Sequence, residues 1–149
     1  MHIRLRDMNS SSRANMCNCF ASRQAARYLT RLYERHLAPV ALTSTQFTIL
    51  LLVDEEPGIP MRELSEAMVM DRTSLVRALK PMQRDGLIEI AASPTDARQN
   101  VMSLTAAGRQ RLEQALPLWQ QAQHEFEGEF GREPAEETRQ LLLKIGQPG

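Results

Sequence analysis

The sequence predicts a mainly α-helical domain interrupted by one two-stranded hairpin. Apolar residues recur at three- and four-residue spacing along most of the chain. Ser, Thr and Asp stand where helices need N-caps. Leu87–Ile90 and Asn100–Leu104 alternate in the manner of strands, with a polar, proline-containing segment between them. The length of 149 residues suits one domain or one subunit of a small oligomer, and 42% hydrophobic with 24% charged residues is enough to bury a core.

In chain order, residues 1–11 are polar and read as a mobile arm. A long helix is expected from Arg13 to Leu37, with Phe20, Ala25, Leu29, Leu32 and Leu37 near helical spacing and Pro39 ending it. Thr43-Ser-Thr-Gln46 fits a capping box, opening an apolar, buried helix over Phe47–Val53 that Glu55-Glu56-Pro57-Gly58 stops. Pro60 suits a first helical position, so Met61–Met68 reads as a short helix. Val69-Met70 is a turn, and Asp71 caps the helix Arg72–Arg84. Asp85-Gly86 stops that helix, and the hairpin follows. Helix, turn, helix and hairpin is the order of a winged helix-turn-helix with a two-stranded wing. Thr105 caps a long helix to Phe130, in which Pro117 predicts a kink, and Pro134–Ile145 forms the last helix.

Lys+Arg and Asp+Glu are both 18, so a generally basic coat for nucleic acid is excluded and any polyanion must meet a local patch. The charge is unevenly spread. Residues 1–40 hold seven arginines against Asp7 and Glu34, whereas residues 41–60 hold only Asp54, Glu55 and Glu56. No run approaches about 18 apolar residues, and no apolar segment follows Arg4 and Arg6, so neither membrane span nor signal peptide is expected and a cytoplasmic protein is. No Gly-rich phosphate loop, Gly-x-Ser-x-Gly or His-Glu-x-x-His motif is present, and His36 and His124 are isolated. An enzyme is therefore not expected, and neither a cofactor nor a metal is called for.

On a helical wheel of Arg72–Arg84, Leu75, Val76, Leu79 and Met82 fall on one side, while Thr73, Arg77, Lys80 and Arg84 fall on the other. The first side can pack, and the second offers hydroxyl, guanidinium and ammonium groups to a major groove. Any amphipathic helix has a solvated face. Its place after a tight turn and before a hairpin makes this one a candidate recognition helix, with Arg72, Thr73, Ser74, Arg77 and Lys80 as candidate contacts. Pro81 lies in its second half, leaving the first turns regular. The hairpin tip carries Asp96-Ala97-Arg98. Arg98 suits a minor groove, and Asp96 suits fixing the loop and holding Arg98.

Taken together, these segments resemble the MarR family of bacterial transcriptional regulators. The resemblance covers nearly all of residues 13–145. It rests on Leu42-Thr-Ser-Thr-Gln46, Arg62-Glu-Leu-Ser-Glu-Ala67, Asp71-Arg-Thr-Ser-Leu-Val76, Asp85-Gly-Leu-Ile88, Asp96-Ala-Arg98 and Ser103-Leu-Thr-Ala-Ala-Gly108 in that order. It implies a homodimer joined through terminal helices (13–38 and 106–145), with a DNA-binding region over 43–104. It implies double-stranded DNA as partner, in the form of a palindromic operator that is usually repressed. Thr73, Ser74 and Arg77 match the family's recognition-helix positions, and Arg98 its wing arginine.

What the protein senses is open at this stage. Cys19, Arg23, Ala26, Thr30 and Tyr33 share one helical face. Many family members answer to small aromatic acids, and Arg23 suits a carboxylate in a crevice between the dimer helices and the reading head. Cys19-Phe-Ala21, Tyr33 and Gln46 also resemble the family's organic-hydroperoxide-responsive branch, in which the matching cysteine is oxidised and a matching tyrosine orients it. At Arg23 that branch carries a second tyrosine. Metal binding by Cys17 and Cys19 is disfavoured, because residues two apart on a helix point about 200° apart. Inert thiols are the remaining reading.

Overall fold

The computed structural model describes residues 12–147. The expected polar arm, residues 1–11, lies outside them. A 3-10 turn over Ala14–Met16 precedes α1, Asn18–Leu37. Then come α2 (Ser44–Glu55), β1 (Ile59–Pro60), α3 (Met61–Met68), α4 (Arg72–Arg84), β2 (Ile88–Ala92), β3 (Asn100–Leu104), α5 (Ala106–Phe130) and α6 (Arg132–Gly146). None of these helices alone is long and apolar enough to cross a membrane.

The winged helix-turn-helix is present, with three differences from the sequence reading. Helix α1 starts at Asn18 rather than near Arg13. Cys17 is extended (φ −86°, ψ 117°), and its Sγ accepts the Phe20 N–H at 3.4 Å as an N-cap. The sheet has a third strand, in the order β1-β3-β2, with Ile59 opposite Met102 and Pro60 opposite Val101. Pro60 therefore closes a strand and serves as N-cap of α3 instead of opening its first turn. The wing strand β2 starts at Ile88 and runs on to Ala92, pairing antiparallel with β3 from Ile88–Leu104 to Ala92–Asn100.

The core sits under the helix-turn-helix. Helix α2 is its centre, because the capping box forms as the sequence predicts: Thr43 accepts the Gln46 N–H at 3.1 Å, and the Gln46 side chain accepts the Thr43 N–H at 3.0 Å. That start aims Phe47, Ile49, Leu50 and Val53 inward against Leu64, Leu75, Leu79, Met82 and Met102, all of them buried. Each such side chain contributes about 1.5–3 kcal/mol through lost apolar exposure. Trp119 of α5 lies tilted against Phe47, ring centroids 6.2 Å apart, so α5 is bound to the reading head near its middle.

Burial is very uneven. Nine large apolar side chains are exposed among the described residues, and all but Val69 lie on the terminal helices or just before α1. Only Leu32 and Leu37 of α1 are buried.

Val69 has another cause. It ends α3 in the left-handed region (φ 52°, ψ 44°), so that its N–H returns to the carbonyl of Glu66 and Met70 can reach back to Ser65. A β-branched residue pays a steric penalty there. Its side chain is 70% exposed, so little packing offsets that penalty. Val69→Gly is expected to raise stability by about 1 kcal/mol, read as a higher midpoint in thermal or urea unfolding. A lower midpoint would show that the Val69 side chain is held by contacts that outweigh its backbone strain.

Candidate nucleic-acid interface

The recognition helix owes its start to Asp71. One carboxylate oxygen accepts the Ser74 N–H at 2.7 Å, and the other accepts the Ser74 hydroxyl at 2.9 Å. These bonds, the Ser74 N–H first, hold the Asp71 carboxyl below the usual carboxylate range. The sign follows: the cap is at full strength above the ordinary carboxylate range and is lost only as pH falls through the lowered value. The Ser74 hydroxyl donates into this cap, so it cannot also donate to a phosphate while the cap holds.

From that start α4 buries Leu75, Leu79 and Met82 and exposes Arg72, Thr73, Arg77 and Lys80. Arg72, Thr73, Val76, Arg77 and Lys80 line a shallow groove of about 370 Å³ on the outer surface. Val76, expected on the packing side, is half-buried and lines the groove along with the cations. Among the described residues no carboxylate stands within ion-pair distance of Arg72, Arg77 or Lys80. Arg84 differs, with its Nε 3.4 Å from Asp85. Pro81 removes the N–H that the Arg77 carbonyl would accept, but the helix continues to Arg84. The groove thus presents three uncompensated cations along the first turns and middle of one helix, a surface that attracts a polyanion.

At the wing tip the Asp96 carboxylate accepts the Arg98 N–H at 3.1 Å and stands 3.5 Å from its Nε. The Arg98 side chain is 94% exposed. Asp96 therefore orders the loop and faces Arg98, while the far side of the guanidinium stays open to a ligand.

Of the expected sensing face, Cys19, Arg23 and Tyr33 do not form one site within a protomer. Cys19 and Arg23 are exposed near the start of α1. Tyr33 lies fourteen residues beyond Cys19, about 21 Å along the helix axis. It lines a cavity of about 370 Å³ between α1, α5 and α6, with Phe126, Leu142, Gln123, Glu127 and Arg139. The Tyr33 hydroxyl donates to the Gln123 side-chain oxygen. Burial pushes its pKa up, Glu127 adds to this and Arg139 opposes it. The cation at this cavity is Arg139, which the sequence reading did not single out. Nothing local marks it: α6 brings it to α1 across about a hundred residues. Both cysteines are exposed in the single chain. Cys17 stands outside the helix, so the angular separation expected of two helical residues does not apply to the pair. No cluster of three or more metal-ligating side chains occurs among the described residues.

A family model described as the MarR family matches residues 42–99, the stretch from the start of α2 to the wing. The transcriptional regulator HosA of Escherichia coli O111:H- is 30% identical over 127 residues, covering 82% of this chain and 94% of HosA. The organic hydroperoxide resistance transcriptional regulator of Bacillus subtilis (strain 168) is 30% identical over 100 residues, covering 67% of this chain and 68% of that protein. Among solved structures, the M. tuberculosis transcriptional regulator MosR in complex with DNA superposes with a TM-score of 0.79 at 38% identity, covering 88% of this chain and 94% of MosR. These relatives are transcriptional regulators, not enzymes, and one of them is seen on DNA. On the strength of the shared reading head and of similarity over nearly the whole length of HosA, this chain belongs to the MarR family of transcriptional regulators.

Proposed function

We propose that the protein is a homodimeric repressor that grips an inverted-repeat operator through α4 and the wing of each protomer and is released by a small effector such as an aromatic acid. One observation carries the dimer: outside Val69, every large apolar side chain left exposed among the described residues belongs to the terminal helices or the turn before α1. Phe20, Phe130, Leu141 and Ile145 have no use on a solvated arm, and a second copy of the chain buries them. Two reading heads joined rigidly gain affinity through effective concentration, because the second head binds at no further cost in diffusional freedom.

The cavity around Tyr33 supports the effector. It is walled mainly by apolar side chains, with Gln123, Glu127, Thr138 and Arg139 as its polar groups. A ring fits the apolar wall and a carboxylate fits the Arg139 guanidinium. The cavity lies in the arms, so a ligand there changes the spacing of the heads. Such a ligand needs only about 1–3 kcal/mol of preference for the released spacing to weaken binding about 5–150-fold.

A second reading is favoured by the exposed thiols at the start of α1 and by the hydroperoxide-responsive relative. In it, an organic hydroperoxide oxidises the Cys19 thiolate to a sulfenic acid and is itself reduced to the alcohol. A second thiol, from a small molecule or the other copy of the chain, then condenses with the sulfenic acid to a mixed or inter-chain disulfide with loss of water. One titration separates the two. A duplex selected by the protein from a random-sequence library is bound, and release is followed with benzoate and with cumene hydroperoxide, in the parent and in Cys19→Ser. Release by benzoate without oxidant, unchanged in Cys19→Ser, is the expected result. Release by hydroperoxide alone, abolished in Cys19→Ser, would establish the thiol reading instead.

A further inference from the structure

The wing tip is ordered by a side chain that has no part so far in the DNA interface. Ser93 stands where the chain leaves β2. Its N–H donates to the Gln99 carbonyl at 2.8 Å and closes the base of the loop. Its Oγ accepts the N–H of Thr95 at 3.3 Å and of Asp96 at 3.4 Å, and lies 3.1 Å from the Thr95 hydroxyl. Pro94 has no N–H and a fixed φ, so the next two donors face the hydroxyl without competition. The Asp96 carbonyl accepts the Gln99 N–H at 3.0 Å and turns the chain back toward β3. With its backbone held at both ends, Asp96 can keep its carboxylate beneath Arg98. Ser93 is half-buried, whereas Arg98 stands clear of the protein surface.

We propose that Ser93 is a positioning residue for the wing arginine: by accepting the N–H groups of Thr95 and Asp96 it aims the Asp96–Arg98 pair, so that Arg98 meets the duplex already ordered. This rests on the reading that Arg98 contacts DNA. An arginine on an unsupported tip samples many rotamers, and fixing one of them on binding costs affinity. The hydroxyl removes that cost before the duplex arrives. Ser93-Pro-Thr-Asp96 carries the sequence signal, a hydroxyl residue three ahead of an acid, but outside a helix it passes for an ordinary turn.

The test measures affinity for the library-selected duplex in the full-length protein. Ser93→Ala is expected to weaken binding about three- to tenfold, and Ser93→Thr, which keeps the hydroxyl, less than about twofold. In an Arg98→Ala background, Ser93→Ala is expected to add nothing, since there is no longer an arginine to aim. An equal loss in both backgrounds, no loss in either, or failure of threonine to rescue would overturn the assignment. Arg98→Ala by itself reports on the underlying reading: unchanged affinity in that single variant would remove Arg98 from the interface.

Discussion

Replacing Arg77 and Arg98 together by alanine is expected to give a folded dimer whose affinity for the selected duplex has fallen at least about a hundredfold. Arg77 is exposed on the free face of α4. Arg98 pairs only at the surface with Asp96, so neither truncation opens the core or strands a buried charge. Unfolding free energies should stay within about 0.5 kcal/mol of the parent. Binding should lose much more, because a guanidinium that reads a guanine edge or a narrow minor groove is worth about 1–3 kcal/mol and the proposed dimer carries two of each. Anisotropy titrations at several salt concentrations divide the loss by type. A lost phosphate contact lowers the slope of log K against log salt by about 0.9, whereas a lost base contact lowers affinity and relaxes sequence preference at one position. Undiminished binding by the double variant would remove both arginines from the interface.

The exposed cationic face of α4 was legible in the sequence because it depends on local structure. A helical wheel of thirteen residues places Thr73, Arg77, Lys80 and Arg84 together, and all four are exposed, and the caps Thr43, Asp71 and Thr105 are set by neighbours three residues away. Features built across long sequence separations were not legible. Strand β1 is two residues long, too short for alternation, and forms only because β3 passes beside it. The Tyr33 cavity needs α6 to return along α5 before Arg139 and Leu142 can meet α1. The start of α1 went the other way: the apolar positions that mark the helix begin at Phe20, so periodicity set no boundary between Arg13 and Asn18, and an extended Cys17 starts the helix there. Periodicity records which face a helix would bury and is silent on where the backbone stops.

Gly108→Ala is the other change with a large expected effect, and the sign of that effect decides between two physical causes. Helix propensity alone favours alanine over glycine by about 1 kcal/mol. A Cβ at residue 108, however, would lie 1.9 Å from the Leu87 carbonyl oxygen and 2.9 Å from its carbonyl carbon, both backbone atoms. That oxygen already accepts the Thr105 N–H at 3.1 Å, the Thr105 hydroxyl donates to the Gly86 carbonyl, and Thr105 caps α5 by accepting the Gly108 N–H at 2.9 Å. The first turn of α5 is thus fastened to the backbone just before the wing, and a methyl group can enter only by parting the two and breaking those bonds. A loss of about 2–4 kcal/mol is expected, a drop of about 10 °C in the unfolding midpoint. Gly128→Ala is the internal control: it lies in the same helix with nothing within 4 Å of its Cβ, and it should gain up to about 1 kcal/mol. Opposite signs for the two variants would show that close approach, and not propensity, fixes glycine at 108. A midpoint for Gly108→Ala at or above the parent would mean that α5 shifts freely on the wing, and that the arm is not rigidly joined to the reading head at this point.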